Sequence, residues 1–278
     1  MTRSRPARLC AAAVLLAPLW GTAVCAADAG STSAIKATSD AASDDWIVTI
    51  GGSIATAPNY AGSSRYGPTF MPSFGLRKAD EPNPFGAPDD NFGITLLEFG
   101  GIELGPLAAI RGSRSGSAVL GLPGYSWSLE TGMFAEFWPI DGLIRTRVEA
   151  LYGLRSNDGL TVNLAADAVT KTGPFTWALG PRLTIVDNTV MQTEFGVAPT
   201  STLINPLLTP FNAHGGVKSA GAAGSVSYDW SKDWTVSMFA NYERLLGDAA
   251  ASPVTRQYGT ANQFTVGMGL EYSFIWKP

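Results

Sequence analysis

The chain has 278 residues, a formal net charge of -4, and only 15% charged residues. An acidic balance of this kind argues against nucleic acid or an anionic surface as the main partner. Its two cysteines, Cys10 and Cys25, both lie near the amino terminus, so the rest of the chain holds no disulfide, thiol nucleophile or cysteine-bound metal.

Arg3, Arg5 and Arg8 begin a positively charged start, the apolar run 9–19 follows, and small residues surround Val24-Cys25-Ala26-Ala27-Asp28. This is the pattern of a secretory signal peptide, and the apolar run is shorter than the roughly 20 residues a spanning helix needs. Cleavage is expected after Ala26 or Ala27, which makes residues 1–26 the leader. Acylation of Cys25 is the rival, but Val24 is a poor fit to the small residue expected before such a cysteine. Cleavage removes both cysteines and three arginines, which takes the formal charge from -4 to -7. Residues 27–45 are mostly Ala, Ser, Thr and Asp, with little that could pack, and are expected to form a disordered periplasmic lead-in.

Residues 46–278 alternate between apolar and small or polar positions. Along the last stretch Phe264, Val266, Met268, Leu270, Tyr272 and Phe274 share one face, and Gln263, Thr265, Gly267, Gly269, Glu271 and Ser273 share the other. A soluble sandwich also alternates, but its outer face is usually richer in Lys and Glu than this. Similar segments predict strands at 46–56, 66–77, 92–97, 102–111, 125–138, 143–152, 160–169, 175–186, 217–228, 234–246 and 263–275, joined by turn residues such as Asn157-Asp158-Gly159. Trp234 and Tyr242 sit eight residues apart on one face, about 20 Å in a tilted strand, close to the height of a lipid-facing band between aromatic girdles. The expected fold is all-β: a single antiparallel transmembrane barrel. The segments above number eleven, whereas a bacterial barrel has an even count. A divided strand is therefore expected in 79–90 or 189–197, which gives twelve strands, with ten as the alternative.

Tyr242-Glu243-Arg244-Leu245-Leu246-Gly247-Asp248-Ala249, Ser252-Pro253-Val254 and Asn262-Gln263-Phe264 resemble the MipA/OmpV family of outer-membrane proteins. Met191-Gln192-Thr193-Glu194-Phe195-Gly196-Val197, Gly51-Gly52 and Pro58-Asn59-Tyr60-Ala61-Gly62-Ser63 resemble it too, so the likeness covers nearly the whole mature chain. The resemblance implies location in the outer membrane of a Gram-negative cell, and a scaffold that links a murein hydrolase and a murein synthase to that membrane. Other members are described as adhesins, porin-like proteins or determinants of antibiotic response. One departure stands at the end: barrels usually finish on an aromatic residue, and here Ile275-Trp276-Lys277-Pro278 follows Phe274.

No catalytic centre, cofactor or metal site is expected. The single histidine, His214, lies in a Gly- and Pro-rich connection without a serine motif to partner it. Asp89-Asp90-Asn91 could offer oxygens to calcium, but lacks a calcium loop's regular spacing and reads as turn residues. By alternation Glu103, Arg111, Glu130, Glu136, Arg145, Arg147, Glu149, Asp167, Arg182, Glu243 and Glu271 should face the lumen. A salt-bridge lattice that fills the lumen is expected rather than a solute-selecting constriction, because barrels of this size leave less interior space than wide porins. The segment 189–218, with Phe195, Leu203, Ile204, Leu207, Leu208 and Phe211, is too apolar for an ordinary loop and should fold over the barrel mouth or dock on a partner. Membrane lipid is the expected surroundings, and the monomer the expected state.

Overall fold

The computed structural model describes residues 45–79, 85–154 and 159–277. The expected leader and nearly all of the expected lead-in lie outside these residues.

Period-two alternation becomes one antiparallel sheet of twelve strand segments. They are β1 (Trp46–Pro58), β2 (Tyr66–Lys78), β3 (Phe92–Gly93), β4 (Leu97–Phe99), β5 (Ile102–Arg111), β6 (Ser128–Ile140), β7 (Ile144–Gly153), β8 (Leu160–Thr172), β9 (Phe175–Val186), β10 (Gly216–Asp229), β11 (Trp234–Leu245) and β12 (Asn262–Trp276). From β5 to β12 each pairs with its sequence neighbour, β3 and β4 both pair with β5, β1 pairs with β2, and β12 returns to pair with β1, Ile50 opposite Tyr272 and Ile54 opposite Met268. The divided strand is the one predicted at 92–97, not either suspected stretch. Gly93 faces Leu107, whereas Leu97 faces Leu104, so one extra residue enters the line between β3 and β4. Leu96 also donates its N–H to Leu104, so this is a β-bulge that kinks one strand into two pieces.

The outer face is apolar and open. Met238, Phe264, Val266, Met268 and Leu270 are all about half exposed on neighbouring strands, while the alternate positions face inward. An apolar surface of this extent belongs in lipid, and only a sheet closed on itself satisfies its backbone there. Short turns such as 141–143, 173–174 and 230–233 gather at the end that holds Trp46 and Trp276. The long connections 112–127, 187–215 and 246–261 gather at the other, as in barrels with short periplasmic turns and long outer loops.

Closure between β1 and β12 is complete, but β2 and β3, the two ends of the strand order, are not paired. Ten antiparallel steps separate them along the sheet, so both run toward the turn end. Between them the chain must climb back, and residues 85–91 do so inside the lumen. Of the suspected stretch 79–90, residues 80–84 lie outside the described part, and 85–90 form no strand.

The suspected strand at 189–197 is a helix. Asp187 caps it by accepting from the Val190 N–H at 2.9 Å, and α1 (Asn188–Phe195) buries Val190, Met191 and Phe195 on one face. α2 (Ser201–Ile204), α3 (Gly247–Ala251) and α4 (Pro253–Tyr258) complete a small helical layer over the loop end. Its core is Val190, Met191, Phe195 and Ala249 against Val186 and Leu245 at the strand ends, with Val119, Leu122, Val197, Leu208 and Val254 beside them.

Candidate functional site

Charged side chains meet across the lumen at two levels, and each cluster is built from a wall and an insert. At the lower level, neighbouring strands β6 to β9 point Glu136, Arg145, Arg147, Glu149, Asp167 and Arg182 inward. Register places Glu136 opposite Arg147 and Arg145 opposite Asp167, so opposite charges start as cross-strand neighbours. Arg145, with no exposed surface, binds Glu136 at 2.8 Å and Asp167 at 3.1 Å. Arg147 binds Glu149 at 2.9 Å and Glu136 at 3.1 Å, and its guanidinium lies 4.0 Å from the centre of the Phe134 ring. Arg182 reaches Asp167 at 2.8 Å.

Into this ring drops the 85–91 segment. Asp89 takes two hydrogen bonds from Arg182, at 2.7 and 3.0 Å. Asp90 pairs with Arg145, and Asn91 donates to Glu149 through its side chain at 2.5 Å. The insert's own turn is closed reciprocally: the Ala87 N–H donates to the Asp90 carboxylate and the Asp90 N–H to the Ala87 carbonyl, both at 2.9 Å. Phe85 lies under Arg145 and meets Trp138 edge-on. Asp89, Asp90 and Asn91 thus face guanidinium groups and an acceptor carboxylate, and among the described residues no group of three or more His, Cys, Asp or Glu could hold a metal.

The upper level joins wall to helices. Arg111 of β5 pairs with Glu130 of β6, reaches Glu194 of α1 at 3.6 Å and donates to Thr161. Lys218 of β10 holds the same Glu194 at 3.0 Å. Arg114 donates to the Glu194 carbonyl at 2.7 Å while stacked on Tyr125, whose phenol is pushed well above its ordinary range, first by burial and then by the Glu194 carboxylate. Ser252 caps α4 and donates to the Phe195 carbonyl at 2.6 Å, which ties two helices together. Gly62 needs its left-handed backbone (φ +89°) here, with a Cβ position only 2.9 Å from Thr255.

Of the eleven charges expected in the lumen, eight therefore meet in these two clusters. Glu103 instead accepts from Thr95 at 2.9 Å near the turn end, Glu243 accepts from Ser219 at 3.0 Å, and Glu271 lies against Gly51 of β1. Sequence reasoning missed Asp89, Asp90, Glu194 and Lys218 as members. The capping Asp187 ahead of an apolar pattern was the available signal for α1 and hence for Glu194. Between insert and wall lies a polar cavity of about 120 Å³, lined by Asp89, Arg147, Glu149, Asn163, Thr184 and Glu243 among others. His214 sits apart and exposed at the loop end. Its backbone N–H donates to Asp248 at 2.8 Å, and its ring lies 3.2 Å from the same oxygen.

A family model described as MltA-interacting protein MipA matches residues 50–274. The chain belongs to this family. The match takes in β2 to β11, most of β1 and β12, the 85–91 insert and all four helices, so both clusters lie within the MipA region. No curated protein matches the chain. Among solved structures it is similar to the NanC porin, at 9% identity over 82% of this chain and 98% of that one, with a TM-score of 0.39. It is similar at the same identity and TM-score to the COG4313 outer membrane channel from Pseudomonas putida F1, over 82% of this chain and 95% of that one. LpxR from Salmonella typhimurium follows at 9% identity, 80% and 99% coverage and a TM-score of 0.33. At such TM-scores the strands do not superpose closely.

Proposed function

We propose that this outer-membrane barrel of the MipA family is a non-enzymatic, monomeric scaffold that holds peptidoglycan-remodelling enzymes, a murein hydrolase and a murein synthase, at the membrane. The observation that carries the reading is the pair of clusters that cross the lumen. A lumen crossed by its own chain at Asp89 and Asp90 and covered by α1 supports a working surface on the outside of the barrel and at its ends. The family's printed name, which specifies interaction with MltA, supports a hydrolase as one partner. Catalysis finds little support in His214 and Asp248, an exposed pair with no hydroxyl or thiol beside it among the described contacts. Affinity capture from a solubilised envelope tests the scaffold: a murein hydrolase should co-purify with the folded barrel and not with a heat-unfolded control. Recovery of neither enzyme would sink the reading.

A narrow channel is the second reading, favoured by the polar cavity beside the insert. Conductance in planar bilayers separates the two, since the scaffold predicts no steady openings.

A further inference from the structure

The polar cavity between the insert and the wall carries a charge that the two clusters leave unmatched. Four carboxylates line it, those of Asp89, Asp90, Glu149 and Glu243, against two guanidinium groups, those of Arg147 and Arg182. Three of the four acids have an arginine each. Asp89 is held by Arg182 through both oxygens, Glu149 by Arg147 and Asp90 by Arg145. Glu243 pairs with no cation among the described residues and accepts from the Ser219 hydroxyl at 3.0 Å. Register accounts for this. Gly221 of β10 stands between Arg182 of β9 and Glu243 of β11 in one cross-strand row, so two strand spacings, about 9.5 Å, separate the backbones of acid and arginine. Arg182 turns instead toward the insert and Asp167.

The same inner face of β11 carries Asn241, two residues before Glu243, and its side-chain oxygen is buried at the cavity with no hydrogen-bond donor. A carboxylate without a cation and an amide oxygen without a donor, on one face of one strand, fit a ligand that supplies both positive charge and N–H groups. Water supplies donors but no charge, and an unpaired carboxylate in a confined space is costly. A metal ion supplies charge but needs several free oxygens around it. The other carboxylates of the cavity are engaged by arginines, and no described group of three or more acids could hold a metal. The volume, about 120 Å³, has room for several waters or for a cation of about four heavy atoms.

We propose that this lumen cavity is a binding site for a small primary ammonium ion, whose nitrogen donates to both the Glu243 carboxylate and the Asn241 side-chain oxygen. The site is independent of the scaffold reading, which concerns the outside of the barrel and its ends, and a cation held there requires no conduction.

The test uses the chain purified from outer membranes and kept folded in detergent micelles. Isothermal titration calorimetry at constant ionic strength compares ethylammonium with tetramethylammonium, which has the charge but no N–H, and with potassium. One saturable site is expected for ethylammonium, with the other two cations weaker by about tenfold or more, because hydrogen bonds to a charged group are lost. Glu243→Gln should weaken ethylammonium by about tenfold or more and Asn241→Ala by about threefold to tenfold, whereas Glu271→Gln, outside the cavity, should leave its affinity unchanged. Since the ligand binds the folded state, ethylammonium should also raise the urea midpoint of the parent chain and not that of Glu243→Gln. Heat-modifiable gel mobility reports the folding of each variant. Absence of saturable ethylammonium binding overturns the proposal, as does equal binding of the three cations, which would assign the heat to diffuse charge. Undiminished binding by folded Glu243→Gln overturns it as well. Should neither cavity variant fold, the comparison of the three cations on the parent chain still decides.

Discussion

The two halves of the barrel wall use opposite strategies on their inner faces. From β5 to β9 the inward positions carry Arg111, Glu130, Glu136, Arg145, Arg147, Glu149, Asp167 and Arg182, almost all buried. From β10 through β12 to β2 they are mostly small: Ala223 and Ser225, Ser237, Gly267 and Gly269, Gly51 and Ser53, Thr69 and Ser73. The insert lies between them, and Ala87 and Pro88 line a small cleft together with Ala178, Ala223, Gly224 and Phe239. One half supplies charge to bind the insert, and the other leaves room for its backbone. A wall of long charged side chains on both halves would leave no path for residues 85–91, and a wall of small ones would leave Asp89 and Asp90 uncompensated, which is costly in a confined space.

If the charged half fixes the insert, Arg145→Met should be the most damaging change. It strands Asp90, Glu136 and Asp167 together, and breaking a buried pair by removing one partner costs about 3–5 kcal/mol. Glu271→Gln, in the small-residue half, should cost less than about 1 kcal/mol because no ion pair is lost. Urea titration of the folded fraction compares them. Equal losses would erase the distinction between halves. Replacing Arg145 and Arg147 together sharpens the functional question: a blocked lumen loses stability, whereas an open one would keep its stability and shift toward cation selectivity in bilayers.

Next in size is the outer face, where the halves should not differ. Arginine at Met238 or Met268 should cost roughly 2–4 kcal/mol near the bilayer midplane, and Thr265→Ser on the inner face should be almost silent. Folding yield into vesicles checks this. A silent Met238→Arg would mean that inside and outside have been exchanged.

Local periodicity made the wall legible. The predicted strands 102–111 and 175–186 coincide with β5 and β9, because alternation is a property of adjacent residues and needs no partner to be seen. Alternation also gives a charge its face, but not its partner, which is why Glu103, Glu243 and Glu271 were grouped with the ion-paired side chains, although Glu103 and Glu243 accept from Thr95 and Ser219 and Glu271 lies against Gly51. The insert was illegible for a different reason. Asp89 and Asp90 bind arginines 93 and 55 residues away, and nothing in Pro88-Asp89-Asp90-Asn91 distinguishes a turn inside a barrel from one in water.

The helical layer offers a smaller effect. Ser252→Ala removes both the cap on Val254 and the bond to the Phe195 carbonyl, and should cost about 1–2 kcal/mol. Because the wall is untouched, the loss should appear as faster hydrogen exchange within 187–215 and not in β6 to β9. Exchange that rises equally in both would mean that layer and wall open as one unit.

The smallest effect is expected at Asp248, outside the barrel wall. Its carboxyl is held below the usual range, first by the hydrogen bond from the His214 backbone N–H, against a small opposing effect of burial. A depressed folded pKa means that the bond stabilises the folded state fully above the ordinary carboxylate range and is lost as pH falls through the lowered value. Because the pair is exposed, water and salt screen it, so the change should be local and should weaken with added salt. The protection of the His214 amide, corrected for intrinsic exchange, is the quantity to follow. It should fall as pH drops through the lowered carboxyl pKa, while the amides of β7 stay protected, and Asp248→Asn should flatten the profile. A profile that Asp248→Asn leaves unchanged would assign that protection to the packing of α3 instead of the carboxylate.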